Sequence, residues 1–190
     1  MNDPEIRRAP HAHLRSAPPG APATDALGIP RGRGFADVIA VDDLLHGFEI
    51  KAACDSLSRL PGQIAAYSRV FDRCTLVTEP SHLRAVLGML PARWGVTVMV
   101  DGVPREERLA APNEGVEPLA VATLLWMEDV TDMLAERRAL RGYRGKPMHE
   151  LWARMCEVCT GDEIRAAVRG VVRARRGPQM DAPHPSRLNP

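Results

Sequence analysis

The chain has 190 residues, of which 45% are hydrophobic and 4% aromatic, and its formal net charge is +1 at pH 7. This hydrophobic fraction excludes a wholly disordered chain, and the length suits one domain with appendages. No apolar run is long enough to cross a membrane, and the N-terminus lacks the apolar stretch of a secretory signal, so the expected location is the cytoplasm.

The chain begins with a proline-rich segment and continues with short apolar segments from residue 35 onward. Residues 1–34 are expected to form a disordered Pro/Ala-rich arm, because prolines interrupt every helical pattern there. The segments 35–41 and 44–51 are then apolar and short, as β-strands are. Asp42 and Asp43 between them favour a turn, so the two segments are expected to form an antiparallel hairpin.

Two helices and two further strands are predicted after the hairpin. Apolar residues at three- and four-residue steps predict helices over 61–70 and 81–90, and apolar runs predict strands over 74–78 and 95–100. Because the first helix is long enough for a right-handed crossover, the strand at 74–78 is expected to lie parallel to the strand at 44–51.

The remaining chain is predicted to be helical and is set apart by a segment rich in Gly and Pro. The expected organisation is an α/β core over 35–100, a linker over 101–118, a basic helical region over 119–176 and a disordered tail over 177–190. The helical region should contain helices near 119–140, 147–159 and 162–176.

Three charged residues interrupt the apolar hairpin. Glu49 and Lys51 are two apart on a strand and therefore project from the same face. With a two-residue turn, Asp37 would project from the other face. Either a β-bulge at Gly47 or a three-residue loop over 42–44 would instead set Asp37 opposite Glu49.

Such a trio has a specific chemistry. Two carboxylates offer the oxygen ligands that Mg²⁺ or Mn²⁺ prefers, and the bound ion lowers the pKa of a water molecule. Lys51 could then position or deprotonate that water. The alternative is an exposed salt-bridge cluster on a sheet face, which would contribute little to stability.

The pattern D-x(11)-E-x-K formed by Asp37, Glu49 and Lys51, followed by a helix and a strand, resembles the PD-(D/E)XK nuclease superfamily. Gln63 and Tyr67 resemble the RecB-like Q-x-x-x-Y motif of that superfamily, although a capping or core-edge pair is the alternative. The longer string from His46-Gly-Phe-Glu-Ile-Lys through Leu-Pro-Gly-Gln to Val-Phe-Asp resembles a family of short, uncharacterised bacterial proteins.

The resemblance implies a restriction-endonuclease-like α/β core, in which helices flank a mixed central sheet, followed by a C-terminal helical tail. It implies a Mg²⁺-dependent nuclease acting on DNA, with RNA left open, in repair, recombination or defence. Asp37 and Glu49 would be metal ligands, and Lys51, Gln63 and Tyr67 would complete the site. Relatives carry a further acidic residue on a helix before the first strand, and only Asp25 could serve here. A catalytically silent module that binds nucleic acid or a protein is therefore the second hypothesis.

The C-terminal region carries a strongly positive charge. Residues 137–176 contain eleven Lys and Arg against four acids, which favours contact with a phosphate backbone. The residues expected to make that contact are Arg144, Lys146, Arg165, Arg169 and Arg173. The alternative is a solvated helical face. His46, beside the site, either contacts substrate or is an ordinary strand-end histidine.

Overall fold

The computed structural model describes the backbone of residues 23–25 and the whole of residues 36–174. Its centre is a six-stranded mixed sheet with strand order β1-β2-β3-β4-β5-β6. The strands are β1 (Ala23–Asp25), β2 (Val38–Val41), β3 (Leu45–Lys51), β4 (Arg73–Thr78), β5 (Gly95–Val100) and β6 (Val103–Arg108). The β3, β4 and β5 strands are parallel, and the other neighbours are antiparallel.

Six α-helices lie within residues 36–174, together with a short 3-10 turn (Leu57–Arg59) that precedes the first of them. The helices are α1 (Leu60–Val70), α2 (Pro80–Met89), α3 (Pro118–Ala122), α4 (Met127–Glu136), α5 (Met148–Val158) and α6 (Gly161–Ala174). The molecule is thus an α/β protein with helices packed against a mixed sheet, as the sequence predicts.

The β2–β3 hairpin forms through a three-residue loop, which was one of the two devices that the sequence left open. Val41 pairs with Leu45 and Val38 pairs with Phe48, so residues 42–44 make the connection. The side chain of Asp42 accepts a hydrogen bond of 2.7 Å from the backbone N–H of Leu44 and holds this loop. Gly47 pairs regularly with Ile39, so no bulge is needed at that glycine.

The β3–α1–β4 crossover confirms the predicted parallel pairing of the two strands. Glu49 lies beside Leu76 and Lys51 beside Thr78. The helix α1 buries Leu60, Tyr67 and Val70, and its proline stands in the first turn, where no backbone N–H is needed. One face of α1 is therefore fixed against the sheet directly above β3 and β4.

The predicted linker over 101–118 is wrong for residues 103–108, which form the edge strand β6. Val100 pairs with Val103, so Asp101 and Gly102 make a two-residue turn with positive φ angles of 50° and 79°. An Asp-Gly pair between apolar residues is a strong hairpin signal because both positions tolerate this conformation. The Gly and Pro content of the segment obscured that signal.

The C-terminal helices are part of the same core as the sheet, and not a separate region. The long helix expected over 119–140 is broken between α3 and α4, where Asp129 accepts a bond of 2.7 Å from the Trp126 N–H. One continuous hydrophobic cluster contains strand residues Leu76 and Val96 together with helix residues Leu134 and Ile164. Each amphipathic helix must bury its apolar face, and the sheet supplies the partner.

The opposite face of the sheet carries a smaller cluster of its own. Its members are Val38, Phe48, Ile50, Val77 and Met99, all from strands. The odd-numbered residues of β3, including Glu49, therefore lie on the face with the larger cluster. Even-numbered residues such as Phe48 lie on the face with the smaller one.

Two expectations concern the ends of the chain. Residues 23–25, expected to belong to a disordered arm, form β1 and pair with β2, so that expectation is wrong for this short segment. The rest of the arm and the tail over 177–190 lie outside the described residues. None of the helices described is long and apolar enough to traverse a lipid bilayer.

Candidate functional site

The C-terminal end of β3 carries a buried ion pair. The side-chain nitrogen of Lys51 lies 2.6 Å from Oε1 of Glu49, and the two side chains are 5% and 1% exposed. The strand period puts both on the face that α1 covers. Burying an ion pair costs the hydration energy of both charges. The pair therefore need not stabilise the fold.

The helix α1 adds two polar side chains above Glu49. The Gln63 amide nitrogen donates to Oε1 of Glu49, and the Tyr67 hydroxyl donates to Oε2 at 2.7 Å. Gln63 and Tyr67 are one helical turn apart and so face the same way. Tyr67 is also fully buried against Phe71 and Trp94, with ring centroids 5.1 and 5.6 Å away. It therefore belongs to the core and to the polar cluster at once.

Asp37 lies one residue before β2, where the hairpin register continues to the position opposite Glu49. Its Oδ2 accepts a bond of 2.8 Å from the Ile50 N–H, and its own N–H donates to the Tyr67 hydroxyl at 3.3 Å. The structure thus brings together Asp37, Glu49, Lys51, Gln63 and Tyr67, the five residues that the sequence nominated as catalytic.

The charge of this cluster is not balanced. Burial raises the pKa of Glu49 above its usual 4.5, and the neighbouring Asp37 carboxylate raises it further, while Lys51 acts in the opposite direction. Burial and the charge of Glu49 also raise the pKa of the Tyr67 hydroxyl, so this group stays protonated. The repulsion between Asp37 and Glu49 is the part of this shift that an added positive charge would relieve.

The oxygen atoms of the cluster can be compared with the ligands that a divalent metal ion needs. Glu49 keeps acceptor capacity on Oε2, and Oε1 of Gln63 is buried without a hydrogen-bond partner in the described region. Residues 36–174 contain no group of three or more His, Cys, Asp or Glu side chains placed to hold a metal. Asp37 and Glu49 are the two carboxylates of the cluster, and carboxylate oxygens are the protein ligands that Mg²⁺ takes while it keeps several waters.

Asp25, the possible third ligand, stands on a strand and not on a helix. Its backbone lies in β1 opposite Val38, next to the strand position of Asp37. Its side chain is outside the described part of the structure, so its predicted role stays a prediction.

The basic residues of the C-terminal region are partly engaged by local acids. Within the described residues, its four acids pair with Arg137, Lys146, Arg154 and Arg165. The guanidinium of Arg173 donates to the backbone carbonyl of Asp42. Arg144 is exposed and Arg169 is half-buried. Arg165 and Arg173 on α6 are therefore already bonded within the chain, and the cations of this region are not equally available.

Sequence reasoning missed the contacts that hold the end of β3. The Thr78 hydroxyl donates to the carbonyl of Lys51 at 3.1 Å, and His82 Nε2 lies 3.0 Å from the carbonyl of Ala52. Asp55 accepts from the Ala52 N–H at 2.9 Å. No sequence signal marks Thr78 or His82, because these contacts join segments that are about 30 residues apart in the chain.

Comparisons with known proteins give one family and one structure. The model of the family described as bacteriophage P4 protein cII matches residues 24–182. The structure of a protein of unknown function from Silicibacter pomeroyi is 18% identical, covers 78% of this chain and 97% of its own, and superposes with a TM-score of 0.48. The search of curated proteins found no match.

Proposed function

This chain belongs to the family of the bacteriophage P4 protein cII, and we propose that it is a metal-dependent nuclease that hydrolyses phosphodiester bonds in DNA. The proposal includes a restriction-endonuclease-like core, a cytoplasmic location and a role in repair, recombination or defence. RNA remains a possible substrate.

The observation that carries the proposal is the convergence of the half-buried Asp37 with the buried Glu49 and Lys51. Glu49 and Lys51 are almost completely removed from water, and a second carboxylate lies opposite them. Two carboxylates held close together in a buried site repel each other, and this arrangement is costly for a purely structural cluster. A divalent cation bound between them would remove that repulsion.

Each residue has a defined task in this proposal. Mg²⁺ or Mn²⁺, when bound, lowers the pKa of a water and stabilises charge on the phosphate. Asp37 and Glu49 hold the ion, and Gln63 and Tyr67 fix the carboxylate of Glu49 through bonds to its two oxygens. Lys51 uses one N–H on Glu49, which leaves two N–H groups to orient the attacking water or the phosphate.

The basic C-terminal region would hold the DNA backbone. Arg165, Arg169 and Arg173 are spaced by four residues on α6, and Arg144 and Lys146 lie in the turn before α5. Arg173 contacts Asp42, five residues after Asp37, which corresponds to about 17 Å along an extended strand. A phosphate backbone bound along α6 would therefore approach the hairpin at the end away from the cluster.

One observation favours a second candidate, a catalytically inactive module that binds nucleic acid or a protein. Glu49 already accepts bonds from Lys51, Gln63 and Tyr67, and the described residues offer no third acid beside it. In that case the cluster would be a satisfied polar network inside the core. The two hypotheses differ in whether metal and cleavage depend on these residues.

A nuclease assay with Mg²⁺ and Mn²⁺ separates the two candidates. Wild-type protein should cut DNA only with a divalent ion. Both Lys51→Ala and Lys51→Met should abolish cutting while leaving DNA binding within about twofold, because Lys51 acts on the water in the transition state. Lys51→Met keeps the volume of the side chain and guards against misfolding of the smaller variant. Asp37→Asn should instead weaken metal binding in calorimetry.

Arg105→Ala is the matched control, since Arg105 is an exposed cation on the edge strand and pairs with Glu107. It should leave cutting unchanged. If folded wild-type protein cuts neither DNA nor RNA and binds neither ion in calorimetry, the nuclease function is excluded and the inactive module is favoured.

A further inference from the structure

A cavity of about 280 Å³ lies on the sheet face opposite the Glu49 cluster. It is lined by strands β3, β4, β5 and β6 and by the segment that follows β6. One side is polar and contains His46, Arg73, Thr75 and Arg108. Because β3 exposes alternate residues to its two faces, this cavity is separated from the proposed catalytic residues by the thickness of the sheet.

Arg73 is the most unusual residue of the lining. Its Nε is buried and has no hydrogen-bond partner anywhere in the described region. An arginine carries five N–H donors in a fixed fork, and leaving a buried donor unpaired is costly. The fork of Arg73 is therefore suited to an acceptor that the described residues do not supply, such as a bound anion.

Arg108 is held in place beside the same cavity. Its Nε donates to the carbonyl of Trp94 at 2.6 Å and its Nη2 to the carbonyl of Pro91 at 3.2 Å. These two bonds hold the guanidinium in place and occupy two of its five donors. Because the side chain is already held, less conformational entropy is lost when its other donors bind an anion.

The balance of charge around the cavity favours an anion. Glu106 is the only acidic side chain of the described lining, it is exposed, and it forms an ion pair with neither arginine. His46 adds no charge at neutral pH, because burial, and then the positive charge of Arg73, lower its pKa to about 4. The described lining therefore carries two positive charges and one negative charge.

Neutral donors and an apolar wall complete the cavity. Nε2 of His46 lies 2.8 Å from Oγ1 of Thr75, so the tautomer of the histidine decides which group donates. Phe48, Val77 and Met99 form the apolar side, and the Phe48 ring stacks on His46 with centroids 4.1 Å apart. Small-ligand sites combine an apolar wall with a few convergent polar groups in this way.

From this combination we propose that the cavity binds a small phosphate monoester, with the phosphate on Arg73 and Arg108 and an aromatic or aliphatic body against Phe48, Val77 and Met99. Two guanidinium groups and a hydroxyl suit the three oxygens and the double charge of a phosphate better than a single carboxylate. This site is separate from the proposed nuclease site and does not depend on metal.

The test is calorimetric titration of the full chain, without divalent ions, with phenyl phosphate, deoxythymidine monophosphate, inorganic phosphate and phenol. We expect one site for each phosphate monoester, with affinity at least about tenfold above that of inorganic phosphate and phenol, because only the ester uses both sides of the cavity. The proton signals of His46 should shift on saturation.

Variants then locate the binding. Arg73→Gln should weaken the binding of phenyl phosphate about tenfold or more, because it removes a charge-assisted contact, and Arg73→Lys should restore part of the affinity. Thr97→Trp, which places a large side chain in the lining, should abolish binding while circular dichroism stays unchanged. Arg105→Ala should have no effect.

Three outcomes would overturn the proposal. These are the absence of saturable binding, equal affinity for phenyl phosphate and inorganic phosphate, and binding that survives both Arg73→Gln and Thr97→Trp in folded protein. Since the titration uses no divalent ion and the lining contains no residue of the Glu49 cluster, its failure is independent of the nuclease assay.

Discussion

At the scale of single residues, Glu49 connects every other member of the proposed site. Its oxygens accept hydrogen bonds from Lys51, Gln63 and Tyr67, and the negative charge of the neighbouring Asp37 raises its pKa. In water these donors would be satisfied by solvent, whereas in the core each depends on the others. Glu49 is therefore a residue through which pH should affect the stability of the fold.

We expect Glu49 to make the metal-free protein less stable as the pH rises. Its pKa in the folded state is raised, first by burial and then by Asp37, so folding favours the protonated carboxyl. This contribution to stability is complete below the unfolded pKa near 4.5 and is lost as the pH rises through the folded pKa. Urea denaturation of wild type and Glu49→Gln at pH 4.5 and pH 8 measures it.

The stability of Glu49→Gln relative to wild type should be greater at pH 8 than at pH 4.5. Saturating Mg²⁺ should reduce the difference, because a bound cation favours the ionised carboxyl. A difference that is the same at both pH values would contradict a raised pKa at Glu49.

At the scale of elements, the hairpin and the crossover helix meet at Gly47. A Cβ atom at this position would lie within 2.7 Å of ring atoms of Phe71, which follows the end of α1. The close approach of β3 to this ring sets how deeply α1 lies on the sheet, and hence whether Gln63 and Tyr67 reach Glu49.

We expect Gly47→Ala to destabilise the fold by about 1–3 kcal/mol, because the added methyl group overpacks a buried aromatic contact. Gly170→Ala is the matched control, since Gly170 lies inside α6 with nothing within 4 Å of the added Cβ. That control should stabilise by up to about 1 kcal/mol through helix propensity. Urea denaturation midpoints measure both changes, and equal effects would refute the packing argument.

The helix α6 gives a second prediction at this scale. If its basic face binds phosphates, replacing Arg165, Arg169 and Arg173 by Ala should lower the slope of log affinity against log salt by up to about 3 on duplex DNA. The effect should be below that limit, because Arg165 is paired with Asp162 and Arg173 with a backbone carbonyl. Filter binding over a salt series measures the slope.

A matched triple variant removes equal charge elsewhere. Arg59, Arg84 and Arg105 are exposed and lie on the 3-10 turn, α2 and β6. Replacing these three by Ala should leave the slope nearly unchanged. An equal decrease of the salt slope in both triple variants would indicate a diffuse electrostatic attraction and not a defined DNA-binding face on α6.

At the scale of the whole molecule, sheet and C-terminal helices share one hydrophobic core. Trp94, just before β5, and Trp152, in α5, are both buried in it, while Trp126 is 41% exposed. In a variant that keeps only Trp94, and in one that keeps only Trp152, we expect the urea midpoint by fluorescence to coincide with the midpoint by far-UV circular dichroism of the same variant, because one core unfolds cooperatively. Two different midpoints within one variant would mean that the helices form a separate unit.

The sequence by itself determined the features that rest on local periodicity. The period of two put Glu49 and Lys51 on one face, and the helical spacing put Gln63 and Tyr67 together one turn apart. The length of the connecting helix predicted the parallel pairing of β3 with β4, which the structure has. These properties depend on neighbours within a few residues and on the general handedness of crossovers, so one sequence suffices to predict them.

Only the tertiary structure decided the rest. The sequence left open whether a bulge or a loop aligns Asp37 with Glu49, and it assigned β6 to a linker and the C-terminal helices to a separate region. It gave no sign that His46, Arg73 and Arg108 would line one cavity, since they come from three different strands. Such features depend on which apolar surfaces bury each other across the chain, and no local pattern carries that information.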